Sequence, residues 1–193
     1  MLRLRDVALF GGRCVLGGLL AMHGSQKLFG AFEGKGLEGT GRAFEAQGLT
    51  PGRESAALAG AAELGGGVLT IVGAADPVAQ VAIASSMAVA VFSRRENGPL
   101  GPGGFELPLT NMALATVLAA IGPGRLRLAP RLPRLVTLAA VAAGSAIAAR
   151  EIRQLRERSR ARRELDVYAR GSDPRRPLRI GPVRTAFSER ASV

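Results

Sequence analysis

Two charges stand where charges are costly. Arg13 lies inside the apolar, glycine-rich run of residues 7–30 (VALFGGRCVLGGLLAMHGSQKLFG), and Glu63 lies inside residues 55–73 (SAALAGAAELGGGVLTIVG). Unpaired ionic groups within a membrane cost several kcal/mol, so such residues pair, neutralise or mark a functional site. Arg13 precedes His23 by ten residues and Glu63 follows Ser55 by eight. At about 1.5 Å per residue, antiparallel helices would put both about 12–15 Å from one surface, where they could pair. The expectation is therefore an Arg13–Glu63 contact near mid-membrane, either as a register clamp or as part of a binding or proton-handling site.

Further polar groups collect toward one face. If successive apolar segments alternate in direction, His23, Lys27, Lys35, Arg94, Arg95, Glu96, Asn97 and Glu106 emerge together. From these the candidate polar site is Arg13, His23, Lys27, Glu63, Asn97 and Glu106. Each also has a plainer role. His23 can cap carbonyls, Lys27 can reach back to headgroups, and Glu106 suits a helix N-terminus. A lone histidine without further ligands makes no metal site, so none is assigned. Cys14 is the only cysteine, which excludes an intramolecular disulfide or a Cys-x-x-Cys pair, and it reads as a small buried apolar residue. Gly34-x-Gly36-x-x-Gly39 matches a dinucleotide fingerprint only in letters, since no strand precedes it.

The elements that carry these residues are five apolar segments: 7–30, 55–73, 77–93, 107–122 and 135–149. The last four lack the polar face of a soluble amphipathic helix and are dense in small residues such as Gly60, Gly66, Ser85 and Ala88, as suits helices that approach closely in lipid. Strand signals are lacking. The fold class is thus all-α: a polytopic transmembrane helix bundle with a four-helix core, a fifth span and a basic helical and disordered C-terminal tail. The first segment looks retained, because Arg13 interrupts its apolar core and no small-x-small cleavage site follows before His23. The loop 31–54 reads as flexible and glycine-rich, leading into a short interfacial helix over 42–47. The loop 94–104 is turn-rich and irregular.

Composition explains how a chain with 47% hydrophobic residues carries a net charge of +11. Thirteen arginines follow Ala149, so the basic excess belongs mainly to a tail. Residues 150–170 continue the last helix, and residues 171–193, with three prolines and scattered arginines, read as disordered. Few aromatics accompany the arginines, which disfavours nucleic acid and favours anionic lipid headgroups at the tail. Assigning loops by the Lys and Arg count splits them 19 against 6 whether the spans number four or five. Both choices give a multi-pass protein with a cytoplasmic C-terminus, and neither fixes the span number. The expected organisation is a bundle over 1–128, a membrane helix over 129–149 and a tail over 150–193.

The order of the motifs resembles the DoxX family of small bacterial membrane proteins. The resemblance rests on Arg13-x-x-x-Gly17, His23-Gly24-x-x-Lys27-Leu28, Ala62-Glu63 with Gly65 and Gly66, Glu96-Asn97-Gly98, Phe105-Glu106 and Gly122-Pro123-Gly124-Arg125, within residues 3–128. It implies a helix bundle in the cytoplasmic membrane. It also implies a subunit of a redox or oxidative and thiol-stress complex, since founding members look like subunits of a thiosulfate to quinone oxidoreductase and relatives are associated with superoxide dismutase and a sulfurtransferase. A quinone or similar small ligand near Arg13 and Glu63 is the expected cofactor class, and redox-complex proteins and the bilayer are the expected partners. The sequence departs from catalytic sulfur chemistry in lacking a pair of thiols, and it contains no self-contained catalytic constellation. A reading of a different class is a non-enzymatic membrane scaffold whose basic tail recruits a soluble partner or anionic lipid.

Overall fold

The computed structural model describes residues 3–171, and these are helical with irregular connections and no strand. The helices are α1 (Leu4–Phe29), α2 (Gly36–Gln47), α3 (Gly52–Val72), α4 (Val78–Ser93), α5 (Glu106–Ile121) and α6 (Arg134–Gly171), with a single 3-10 turn at Arg95–Asn97. Each apolar segment of the sequence has become a helix, and the last runs on through the arginine-rich stretch. The chain divides into two compact units, Met1–Arg158 and Ser159–Val193. In the second, residues 159–171 are helical and the side chains of residues 161–168 are exposed. The part of the tail read as disordered lies outside the described residues.

Glycine sets the central packing of the first unit. A side chain at Gly17 would come within 2.5 Å of the Gly67 carbonyl oxygen, and one at Gly24 would strike the backbone around Gly60 and Leu64. Both positions are open to glycine alone because α1 and α3 touch backbone to backbone, the close approach that small residues allow between membrane helices. The same contacts fix the antiparallel register. Gly24 is level with Gly60 and Leu64, and Gly17 is level with Gly67 and Ile71. On the far side of α3, Gly66 meets Ala79 and Ile83 of α4. Leu16, Leu20, Ile83, Met87, Ala115 and Leu118 from α1, α4 and α5 fill the middle.

α6 docks mainly through its central turns. Gly144 lies against Val81 and Ser85 of α4, while Ala148 and Leu155 pack with Leu49 and Val89. The Gln154 amide both donates to and accepts from the Thr50 backbone, and Arg158 donates to the Glu45 carbonyl at 2.8 Å. Because Gly144 faces residues 81–85 and Ala148 faces Val89, α4 and α6 run in the same direction.

The exposed surface is apolar. Leu4, Val7, Val15 and Leu19 on α1, Val117 and Ile121 on α5, and Leu135, Leu138 and Val141 on α6 all project outward. Aliphatic area on this scale facing outward suits hydrocarbon rather than water. α1, α3 and α6 are long and apolar enough to cross a membrane. α4 and α5 are apolar but have 16 residues each, a reach of about 24 Å against a hydrocarbon core of about 30 Å.

The loop 31–54 departs from its expected flexibility. α2 starts at Gly36, so the formal dinucleotide motif runs into a helix with no strand before it. Thr40 and Gly41 are buried against its neighbours, and Arg53 pairs with Glu38 at 2.7 Å. The loop 94–104 is irregular beyond its one 3-10 turn, as its prolines and glycines predict.

Candidate functional site

The expected Arg13–Glu63 pair does not form. The register of α1 on α3 puts Arg13 level with residues 71–73 and Glu63 level with the His23 turn, ten residues and about 15 Å apart. The depth estimate took His23 and Ser55 as opposite helix ends. In fact α1 continues to Phe29, and the contacts of Gly24 with Gly60 and Leu64 and of Gly17 with Gly67 and Ile71 set a register about two turns away from one that levels His23 with Ser55.

Arg13 is instead a clamp at the end of the bundle that carries Asp76. Its side chain, 1% exposed, donates to the carbonyls of Thr70 and Ile71 at the close of α3 and to those of Pro123 and Leu126 in the following loop, at 2.5–2.7 Å. Four carbonyl acceptors satisfy a guanidinium without a carboxylate. Asp6 supports the same loop, accepting from the Arg125 N–H and, across the first turn of α1, from Arg3 N–H. Backbone bonds from Leu128 to Val72 and from Leu132 to Asp76 complete the closure. Asp76 itself is buried and sits 3.6 Å from the Arg131 guanidinium, with neither carboxylate oxygen hydrogen-bonded. Burial pushes its carboxyl above the ordinary value, against the pull of Arg131, Arg13 and Arg127.

Glu63 finds a different cation. Lys27, one turn beyond His23 on α1, donates to Glu63 Oε2, and Ser86 of α4 donates to Oε1 at 3.3 Å. Glu63 is 2% exposed, whereas the Lys27 side chain keeps about a quarter of its surface accessible. Lys27 thus reaches from a helix end to a carboxylate in the bundle interior. The pair lies in the wall of a cavity of about 520 Å³ that also touches His23, Ser85, Asn111 and Glu151. Leu20, Val81, Met87, Ala143 and Ile147 supply apolar walls. A largely apolar chamber with a few convergent polar groups is the usual form of a small-molecule site.

The structure therefore brings together His23, Lys27 and Glu63 from the sequence-predicted set and separates Arg13 from them. His23 Nδ1 lies 3.1 Å from the Gln26 side-chain oxygen. Asn97 donates to the Gly103 carbonyl in the turn-rich loop at 3.1 Å, and Glu106 is exposed in the first turn of α5. Neither is among the residues lining the cavity. The polar lining groups Ser85, Ser86, Asn111 and Glu151 lie outside the predicted set. Ser86 read as a small packing residue, and the only hint of its role was a Ser-Ser pair in an otherwise aliphatic run. Glu151 read as the start of the solvated tail, although it is the first acid after the apolar segment. Among the described residues, no group of three or more His, Cys, Asp or Glu converges to hold a metal ion.

Chemically, the Lys27 ammonium, the Ser85 and Ser86 hydroxyls and the Asn111 amide offer donors beside the Glu63 and Glu151 carboxylates. The set can hold a neutral head bearing carbonyl or hydroxyl oxygens within apolar walls.

Together, outward aliphatic helices and a partly open cavity with polar groups on its floor define a helical membrane protein with a ligand-sized recess. Residues 8–95 match the DoxX family model, a stretch that takes in α1 to α4 with Lys27, Glu63 and Ser86. No curated protein and no solved structure gave a match.

Proposed function

We propose that this protein is a membrane subunit of a redox or oxidative and thiol-stress complex that binds a quinone or similar small ligand in the cavity at Glu63. The observation that carries this reading is the Lys27–Glu63–Ser86 cluster, set in apolar walls beside His23. A quinone head presents carbonyl oxygens to the donors and a flat apolar ring to the walls. The DoxX match supports the family context from which the redox assignment comes. The cell membrane, with a cytoplasmic C-terminus, is the location that the distribution of Lys and Arg favours.

The reading is tested by calorimetric binding of decylubiquinone to the purified full-length protein in detergent. Saturable binding that weakens at least tenfold, about 1.4 kcal/mol, in Glu63→Gln is expected. Equal affinity of wild type and variant would refute a ligand site at Glu63.

A second reading has its own observation, the exposed arginine-rich helix of residues 160–168. On that reading the tail recruits a soluble partner or anionic lipid. Pull-down from native membranes with and without residues 150–193 tests it, and an unchanged set of partners and lipids would count against recruitment.

A further inference from the structure

We infer that the half of the cavity nearer Asp76 holds a hydrocarbon chain, so that the ligand is a single-chain membrane amphiphile lying along α4 with its polar head at Glu63. The inference rests on the ligand reading above and adds the shape and direction of the ligand. The lining of the cavity on α4 runs from Val78 to Ser93, and on α6 from Ala140 to Glu151. These stretches rise about 22 Å and about 16 Å, so the chamber is elongated along the two parallel helices. Its polarity is graded along that axis. On α4 the lining hydroxyls begin at Ser85 and the cation Arg94 follows the helix end, while on α6 Glu151 is the last lining residue. Toward Asp76 the same two helices contribute only Val78, Val81, Ala82, Ala140, Ala143 and Gly144.

That apolar stretch, from Val78 to Ser85, measures about 10 Å, the length of a chain of about eight methylenes. Small side chains at Ala82, Ala140 and Ala143 leave the strip open. A bare ring seated at Glu63 would leave these walls without contacts, and an elongated apolar segment would supply them. Lipid is as apolar as the strip, so the chain gains little by leaving the bilayer. Its effect is orientation, because it fixes the long axis of the ligand and thereby places the head against Lys27, Glu63 and Ser86.

Alkyl or prenyl chains of quinones and acyl chains of fatty acids share this chemistry, so the test uses two probes on the full-length protein in detergent. One is a benzoquinone with a decyl chain ending in a diazirine, and the other is decanoic acid with the same chain end. After irradiation, the labelled residues are mapped by peptide mass spectrometry, with excess decylubiquinone or decanoate as competitor. The expected result is displaceable labelling by the quinone probe within residues 78–82 and 140–144, reduced at least fivefold in Ala140→Phe. Displaceable labelling there by the fatty acid alone supports the chain subsite and transfers the head from quinone to carboxylate. Labelling at Phe44, Ser93 or Arg94 overturns the direction, and labelling of lipid-facing positions that no competitor reduces overturns the subsite. Calorimetry with the tail-less 2,3-dimethoxy-5-methyl-1,4-benzoquinone separates the two readings. If it binds while no displaceable chain label appears, the chain inference fails and the ligand site stands; if neither binds nor labels, both fail.

Discussion

The end of the bundle and its middle treat a buried charge in opposite ways. At the Asp76 end, Arg13 meets four carbonyls and ties α1 to the last turn of α3 and to the loop that carries Pro123 and Leu126. Midway along the bundle, Glu63 receives one ammonium and one hydroxyl and borders a cavity. Saturation leaves Arg13 with little capacity for a ligand, which marks a structural clamp. The sparser shell of Glu63, with its cation partly accessible and open volume beside it, is what supports the proposed ligand site there. An intramembrane charge is thus not a functional signal by itself; what distinguishes the two is how fully the protein satisfies it.

The largest expected effect comes from breaking the clamp. Arg13→Met leaves four carbonyls, two of them in buried hydrogen bonds, without their donor and should cost about 3–5 kcal/mol, read as a fall in the thermal midpoint by circular dichroism in detergent. Lys27→Met should cost about 3 kcal/mol, because it strands a buried carboxylate, and Lys27→Met with Glu63→Gln should recover most of that loss. A double variant as unstable as the single would mean that the pair holds the helices together, much as Arg13 does.

Helix register, which keeps the two sites apart, sharpens the contrast further. Gly17→Ala pushes a methyl group into the α3 backbone and should destabilise by about 1–3 kcal/mol. Gly18→Ala meets open space and should be neutral or stabilising by up to about 1 kcal/mol. The smallest effect is expected at Asp76. Its raised carboxyl means that the folded chain holds the proton more tightly than the unfolded chain, so stability falls as pH climbs from 3.8 through the raised value. Asp76→Asn should flatten that part of the midpoint-against-pH curve, and an unchanged slope would assign it to another group.

Much of the fold was legible in the sequence because a helix that faces lipid announces itself by composition. All five apolar segments became helices, and the last runs into the basic stretch as its helix formers predict. The close-packing glycines were also visible, since Gly60, Gly66 and Gly67 stand in an aliphatic run. The partner of Glu63 was not legible. Pairing depends on where α1 ends, and continuation from His23 to Phe29 is a matter of tertiary contact, Lys27 with Glu63 and Gly24 with α3, rather than of local pattern. Glu151 escaped notice for a related reason: only the docking of α6 on α4 and on Leu49 turns a residue of apparent tail into a cavity wall.

The separation of clamp from site is tested most directly by one paired measurement, the affinity of decylubiquinone for folded Arg13→Met and folded Glu63→Gln against wild type, each normalised to folded protein. Affinity within about twofold of wild type for Arg13→Met, with at least a tenfold loss for Glu63→Gln, is the predicted result. Equal losses in both variants would contradict it and return Arg13 to the ligand site.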